Sequence, residues 1–143
     1  MNTDKCPELP VLLVDDEREW LRSLSLTLQR NLGISNFMVC QDSREVVPLL
    51  AGQDICLAIL DMTMPHLSGH DLLLQIRERH PGVPVIILTG RSEVELAVKC
   101  MRDGAFDYFV KTEEMERLFA AIRRALEMQR MQAENRNLKD RVL

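Results

Sequence analysis

ICLAILD, residues 55–61, decides the fold. Its six apolar residues are too few for a buried helix and do not alternate with polar ones, so they read as a strand covered on both faces. Asp61 then closes the run, placing a carboxylate where the strand leaves the core. Four more runs of strand length flank it: PVLLV (10–14), NFMVC (36–40), VPVIIL (83–88) and FDYFV (106–110). Between them lie longer amphipathic stretches. In the first, residues 17–31, Trp20, Leu21, Leu24 and Leu28 recur at helical spacing, continued by Leu32 just beyond.

Further helices are expected over 42–50, 68–80, from Ser92 to about Arg102, and through everything after Thr112. Asp42 with Glu45 and Ser92 with Glu95 stand at capping-box spacing. Pro48 removes an intrahelical hydrogen bond, which predicts a kink or a late helix start. Five strand–helix repeats fit an α/β domain, a flavodoxin-like doubly wound parallel sheet of order 2-1-3-4-5. Helices would cover both faces, with an extended helix at the C-terminus.

Composition agrees with a single soluble domain. The chain has 143 residues, 46% apolar and 28% charged, with 22 acidic against 18 basic side chains. That mild acidity argues against a general nucleic-acid or anionic-membrane surface. No apolar run approaches the roughly 18 residues of a membrane span, and residues 1–8 form a short polar tail without a signal-peptide pattern. Cys6, Cys40, Cys56 and Cys100 are widely spaced, so they read as reduced packing residues of a cytoplasmic protein.

In a doubly wound sheet, function collects beyond the carboxyl ends of the strands, at the switch point between the first and third. Asp15, Asp16 and Glu17 follow the first strand, Asp61 ends the third, Thr89 the fourth and Lys111 the fifth. Taken singly, each has a plain reading: Asp16 as a helix cap, Thr89 as turn chemistry beside Gly90, Lys111 as a solvated lysine. Together they occupy successive strand ends at one edge of the sheet.

Three crowded carboxylates repel and raise one another's pKa unless a cation intervenes. Mg²⁺ suits them, being a hard ion that takes one or two carboxylates plus phosphate oxygens. An Asp61 oxygen could then attack phosphorus and form an acyl phosphate. Lys111 and Thr89 would share the charge on the equatorial oxygens.

The blocks LLVDDE (12–17), DMTMPHLSG (61–69), VIILTG (85–90) and GAFDYFVK (104–111) resemble, in order and spacing, the signature of the two-component response-regulator receiver domain. The resemblance spans roughly residues 9–126. It implies that Asp61 accepts phosphate from a histidine kinase or phosphotransfer protein. It further implies Mg²⁺ ligation by Asp16 and Asp61, by Asp15 largely through water, and by the backbone carbonyl of Thr63. Thr89 would be the switch hydroxyl, and Tyr108 the aromatic that turns inward when Thr89 moves. The face formed by the fourth helix, fifth strand and fifth helix would carry the change. Thr63 and Arg91 occupy the positions that border the water path to the acyl phosphate and tune its lifetime.

One departure from the pattern is Thr112, where the family usually has proline after the lysine. The Lys111–Thr112 bond is either trans with an altered loop or cis under strain. Another motif competes: His66 and His70 are four apart, a spacing that can bind zinc on a helix, but Pro65 and Gly69 put His66 in a loop, with no third ligand apart from Asp61 or Asp71.

From Glu113 onward there is neither Gly nor Pro. Leu118, Ala121, Ile122, Ala125 and Met128 form a face that docks on the domain. Met131, Asn135, Leu138 and Val142 continue at a new offset as a short coiled-coil seam. Residues 127–143 therefore read as a dimerising signalling helix or a solvated linker. The charges there are mixed, with six acidic and seven basic side chains beyond Lys111, unlike a nucleic-acid arm. ALEMQRMQAENRNLKDRV looks like the linker of enhancer-binding, nitrogen-regulation-type transcription activators. That likeness implies a homodimer and an AAA+ output domain beyond this sequence.

Other classes fit less well. A phosphatase of the haloacid-dehalogenase type would need an acidic residue at position 63. A nucleotide or flavin site would need glycines where the chain has DDERE. A pure dimerisation module would have no use for the acidic pocket.

Overall fold

The computed structural model describes residues 7–111, 113 and 115–142, with side chains up to residue 136. Five parallel strands, β1 (Val11–Val14), β2 (Phe37–Cys40), β3 (Leu57–Asp61), β4 (Val85–Thr89) and β5 (Asp107–Val110), line up in the order β2-β1-β3-β4-β5. The helices are α1 (Arg18–Leu32), α2 (Val46–Gly52), α3 (Gly69–Arg79), α4 (Val94–Arg102) and α5 (Met115–Val142). This is the expected flavodoxin-like fold.

Alternation along the strands builds two cores. Val11, Leu13, Leu57, Ile59, Ile86 and Leu88 join α1 and the first half of α5, through Leu21, Leu24, Leu28, Leu118, Ile122 and Ala125. Leu12, Val14, Ala58, Leu60, Val85 and Ile87 meet α2, α3 and α4, through Val46, Leu50, Leu72, Ile76 and Cys100. Successive side chains point to opposite sides of a strand, so sequence parity assigns each strand-end residue to a face.

Local chemistry corrects some expected boundaries. Asp42 does cap, accepting from the Arg44 amide at 3.0 Å, but it caps a 3-10 turn over Ser43–Glu45. Helix α2 begins only at Val46, which leaves Pro48 in its first turn, where a missing N–H costs nothing. Helix α4 is capped at Glu93 without any side-chain bond, so the Ser92–Glu95 box does not form. Ser68 and Asp71 instead build a capping box at the start of α3.

Cys40, Cys56 and Cys100 are all buried in the core; Cys6 lies outside the described residues. No helix among the described residues is long and apolar enough to cross a membrane.

Helix α5 changes character along its length. Leu118, Ala121, Ile122 and Ala125 are buried, Met128 is half-buried, and Met131 is 54% exposed. Asn135 is exposed, and the side chains of Leu138 and Val142 lie outside the described residues. Past the domain the helix carries its own ion pairs, Arg130 to Glu127 and, at 2.8 Å, Arg130 to Glu134.

Candidate functional site

Four strand ends converge at one edge of the sheet. Asp15 follows β1 and is only 2% exposed. Its Oδ1 accepts the Glu17 amide at 2.8 Å, so Asp15, rather than Asp16, fixes the chain entering α1. Asp61, 6% exposed, ends β3 in register with Leu88. Asp16 is exposed at the rim. One carboxylate oxygen from each of Asp15, Asp16 and Asp61 lies within 4.8 Å of the others. The sequence-predicted metal carboxylates are thus brought together, as an all-oxygen donor set of the kind that suits a hard divalent cation.

Lys111, just past β5, reaches into this cluster. Its Nζ lies 2.6 Å from Asp15 Oδ2, 3.3 Å from Glu17 Oε1 and 3.4 Å from Asp61 Oδ1. Burial works against the ammonium, but Asp15 and then Asp61 outweigh it, and the Lys111 pKa ends above its ordinary value. Burial first, then the neighbouring Asp15 charge, pushes Asp61 up to about 6, with Lys111 only partly compensating. Asp15 is raised too, mainly by burial, against the opposing pull of Lys111. One lysine does not neutralise three carboxylates, and the residual negative charge is what a divalent cation would balance.

Parity divides the remaining residues. Asp15, Asp61 and Lys111 share the α1–α5 face with Leu13, Ile59 and Phe109, whereas Thr89 and Tyr108 take the α4 side with Ile87. The Thr89 hydroxyl donates to the Arg91 carbonyl at 3.0 Å. Tyr108, like Leu96, packs against the core cluster that contains Cys100. Its hydroxyl is already shielded from water and makes no hydrogen bond of good geometry among the described residues. Burial raises the phenol pKa, and the nearby Thr89 hydroxyl offsets part of that rise. The Tyr108 side chain thus carries its hydroxyl inward, away from solvent.

Thr63 and Arg91 are both exposed, two residues beyond the ends of β3 and β4 respectively. Thr112 and its preceding peptide bond lie outside the described residues. His66 is exposed at φ +75°, and His70 pairs with Asp103 at 2.7 Å. Neither histidine joins a metal-capable cluster among the described residues.

Several supporting contacts escaped the sequence reading. Gly69 passes so close to β3 that a Cβ there would sit 2.4 Å from the Asp61 carbonyl oxygen. Its amide donates to the Met62 carbonyl at 2.9 Å. Buried Ser43 donates to the Pro65 carbonyl at 2.7 Å and accepts from the Leu67 amide at 3.0 Å, tying down the loop that follows Asp61. The Trp20 ring stands 5.1 Å from Lys111 Nζ. Only the Gly69 contact has a signal in the sequence, a glycine opening the helix that follows the acidic strand end and its loop.

A sheet of this order with three carboxylates and a lysine at its switch point defines a class. The response regulator receiver domain family matches residues 11–123, and the chain belongs to it. Its members are signalling modules rather than conventional enzymes.

Over 114 residues the chain is 40% identical to the response regulator protein FleR of Pseudomonas aeruginosa, covering 80% of this chain and 24% of FleR. Over 129 residues it is 35% identical to the C4-dicarboxylate transport transcriptional regulatory protein DctD of the same species, covering 90% of this chain and 28% of DctD. The solved beryllofluoride-activated NtrC4 receiver domain dimer superposes with a TM-score of 0.76 at 31% identity, covering 84% of this chain and 98% of that one. These relatives are regulators of the enhancer-binding, nitrogen-regulation type. The chain spans about a quarter of the length of FleR and DctD.

Proposed function

We propose that the chain is a phosphorylation-driven switch in which Asp61 takes a phosphoryl group from a histidine kinase or phosphotransfer protein. The observation that carries this reading is the Asp61 carboxylate at the end of the central strand, between two other carboxylates and 3.4 Å from the Lys111 ammonium. Mg²⁺ fits the donor set of Asp15, Asp16 and Asp61, which by the family resemblance the Thr63 backbone carbonyl would join, and when bound it would supply charge neutralisation and alignment of the donor.

The chain's own residues do the rest. An Asp61 carboxylate oxygen forms a bond to phosphorus as the bond from phosphorus to the donor nitrogen breaks, and the electron pair leaves with the imidazole. Lys111 turns its ammonium from Asp15 toward the transferred oxygens. Thr89 exchanges its bond to the Arg91 carbonyl for one to the phosphoryl group. That movement changes the surroundings of the buried Tyr108 hydroxyl, and so the packing of β5 against α4. Thr63 and Arg91, at the mouth, set how readily water reaches the acyl phosphate.

The face formed by α4, β5 and α5 would then alter how the distal half of α5 pairs across a homodimer, through Met131, Asn135, Leu138 and Val142. By analogy with the regulators it resembles, residues 9–126 act as receiver and residues 127–143 as a dimerising linker, behind a polar tail of residues 1–8. The linker would lead to an AAA+ output domain that controls transcription in the cytoplasm.

Treatment with acetyl phosphate or beryllofluoride and Mg²⁺, followed by mass and sedimentation measurement, tests both halves. Wild type should gain one phosphoryl group and change association state, and Asp61→Asn should do neither. Labelling of the variant would refute the site, and an unchanged sedimentation profile in labelled wild type would refute the switch.

A further inference from the structure

Lys111 meets two kinds of partner among the described residues. Asp15 and Asp61, at 2.6 and 3.4 Å, belong to the acidic cluster, whereas Glu17 at 3.3 Å and the Trp20 ring at 5.1 Å stand outside it. Both outer partners come from the entrance to α1. Glu17 is its N-cap, held by the Asp15 side chain, and Trp20 follows three residues later on the same helical face. The indole is half-buried and packs against the core cluster containing Leu21 and Leu118, so its ring face is fixed rather than swinging.

We propose that Trp20 is a positioning residue for Lys111, its ring face retaining the ammonium over the pocket when the inner carboxylates turn to other partners. This rests on the phosphoacceptor reading of Asp61. Once Asp15 and Asp61 share their charge with a divalent cation, their pull on Lys111 weakens, and cation and ammonium repel each other. A lysine stem is flexible and its ammonium strongly hydrated, so Lys111 would then favour water. Glu17 is 68% exposed and holds it only through a screened attraction. The ring face of tryptophan, the strongest aromatic partner for a cation, needs neither inner carboxylate and also excludes water from one side of the ammonium.

The test combines proton NMR of the untreated protein with labelling by acetyl phosphate and Mg²⁺. In wild type the Lys111 methylene protons should resonate upfield, shifted by the indole ring current, and show cross-peaks to it. Trp20→Leu should remove the shift and slow Asp61 labelling by about threefold to tenfold. Trp20→Phe, which keeps a ring face, should restore most of both.

A wild-type spectrum without the shift or cross-peaks overturns the proposal, even if the leucine variant fails to fold. So does a folded Trp20→Leu protein that labels at the wild-type rate. A phenylalanine variant as slow as the leucine one assigns the loss to shape and also overturns it. If wild type itself takes no phosphoryl group, the phosphoacceptor reading fails and this inference with it, a result distinguished by wild type and variants failing alike.

Discussion

The two faces of the sheet differ in kind. Toward α1 and α5 lie Asp15, Asp61, Lys111 and Trp20, a dense cluster centred on the Lys111 ammonium, which meets both carboxylates and the indole ring. Toward α4 lie Thr89 and Tyr108, two neutral hydroxyls, one bonded to a loop carbonyl and the other without a good bond. Helix α4 itself is lightly anchored: Cys100 is its only buried residue, while Val94, Val98 and Met101 are 73%, 56% and 45% exposed. Strong electrostatics suit a site that must bind and react, and a weakly held element suits one that must move at small cost. The faces meet through the sheet backbone, where the Lys111 amide donates to the Thr89 carbonyl at 2.7 Å.

Removing the lysine should give the largest separation between the faces. Lys111→Met takes away the charged donor nearest Asp61, and labelling by acetyl phosphate at saturating Mg²⁺ should slow by about a hundredfold. The amide shifts of α4 in the untreated protein should stay put. Labelling within threefold of wild type would break the assignment of the chemistry to the charged face.

Asp61→Asn sharpens the same contrast through stability. A carboxyl with a native pKa of about 6, against 3.8 unfolded, keeps its proton in the folded state over a range where the unfolded chain has lost it. Wild type without metal should therefore lose stability as pH rises from about 4 to 6, by at most about 3 kcal/mol, and level off above. The asparagine variant should lack that decline and be the more stable protein at pH 7 in chelator, as read by urea unfolding. Added Mg²⁺ should stabilise wild type more than the variant. A wild-type profile that rises with pH relative to the variant would contradict the repulsion described for the pocket.

Thr89→Ala touches the other face. One hydroxyl among several charge-stabilising groups is lost, so labelling should slow by about tenfold or less. The beryllofluoride-induced shifts of Tyr108 and α4 should largely vanish. A full α4 response without the hydroxyl would show that the faces communicate by a route other than Thr89.

How much of this was legible in the sequence follows from how local each signal is. ICLAILD and its four companion runs announce their strands because burial on both faces leaves continuous apolar residues. The parallel order then brings their acidic and basic ends together, so Asp15, Asp16, Asp61, Thr89 and Lys111 could be nominated before any coordinates. The Glu17–Lys111 contact spans 94 positions, and the strand order alone does not say which α1 side chain meets the ammonium. Caps failed for the opposite reason: a Ser or Asp three residues before a Glu is common, and only backbone geometry decides whether it bonds. That is why Asp42 caps a 3-10 turn while Ser92 caps nothing. The distal half of α5 is helical as its composition suggests, but a seam under two heptads long does not identify its partner from pattern alone.

Arg91→Ala should have the smallest effect, and it isolates one variable. Thr89 bonds to the backbone carbonyl of Arg91, so the alanine variant keeps that bond and the loop it supports. What disappears is an exposed guanidinium two residues beyond the end of β4. A charge in that position is largely screened, with an influence of about 0.5–1 kcal/mol. With the side chain gone, water reaches the acyl phosphate more freely, and phosphorylated protein should decay about twofold to fivefold faster. Labelling rate and the α4 response should match wild type, because neither the charged cluster nor the two hydroxyls has changed. Decay at the wild-type rate would mean that the lifetime of the phosphoryl group is set inside the pocket, and that the mouth belongs to neither face.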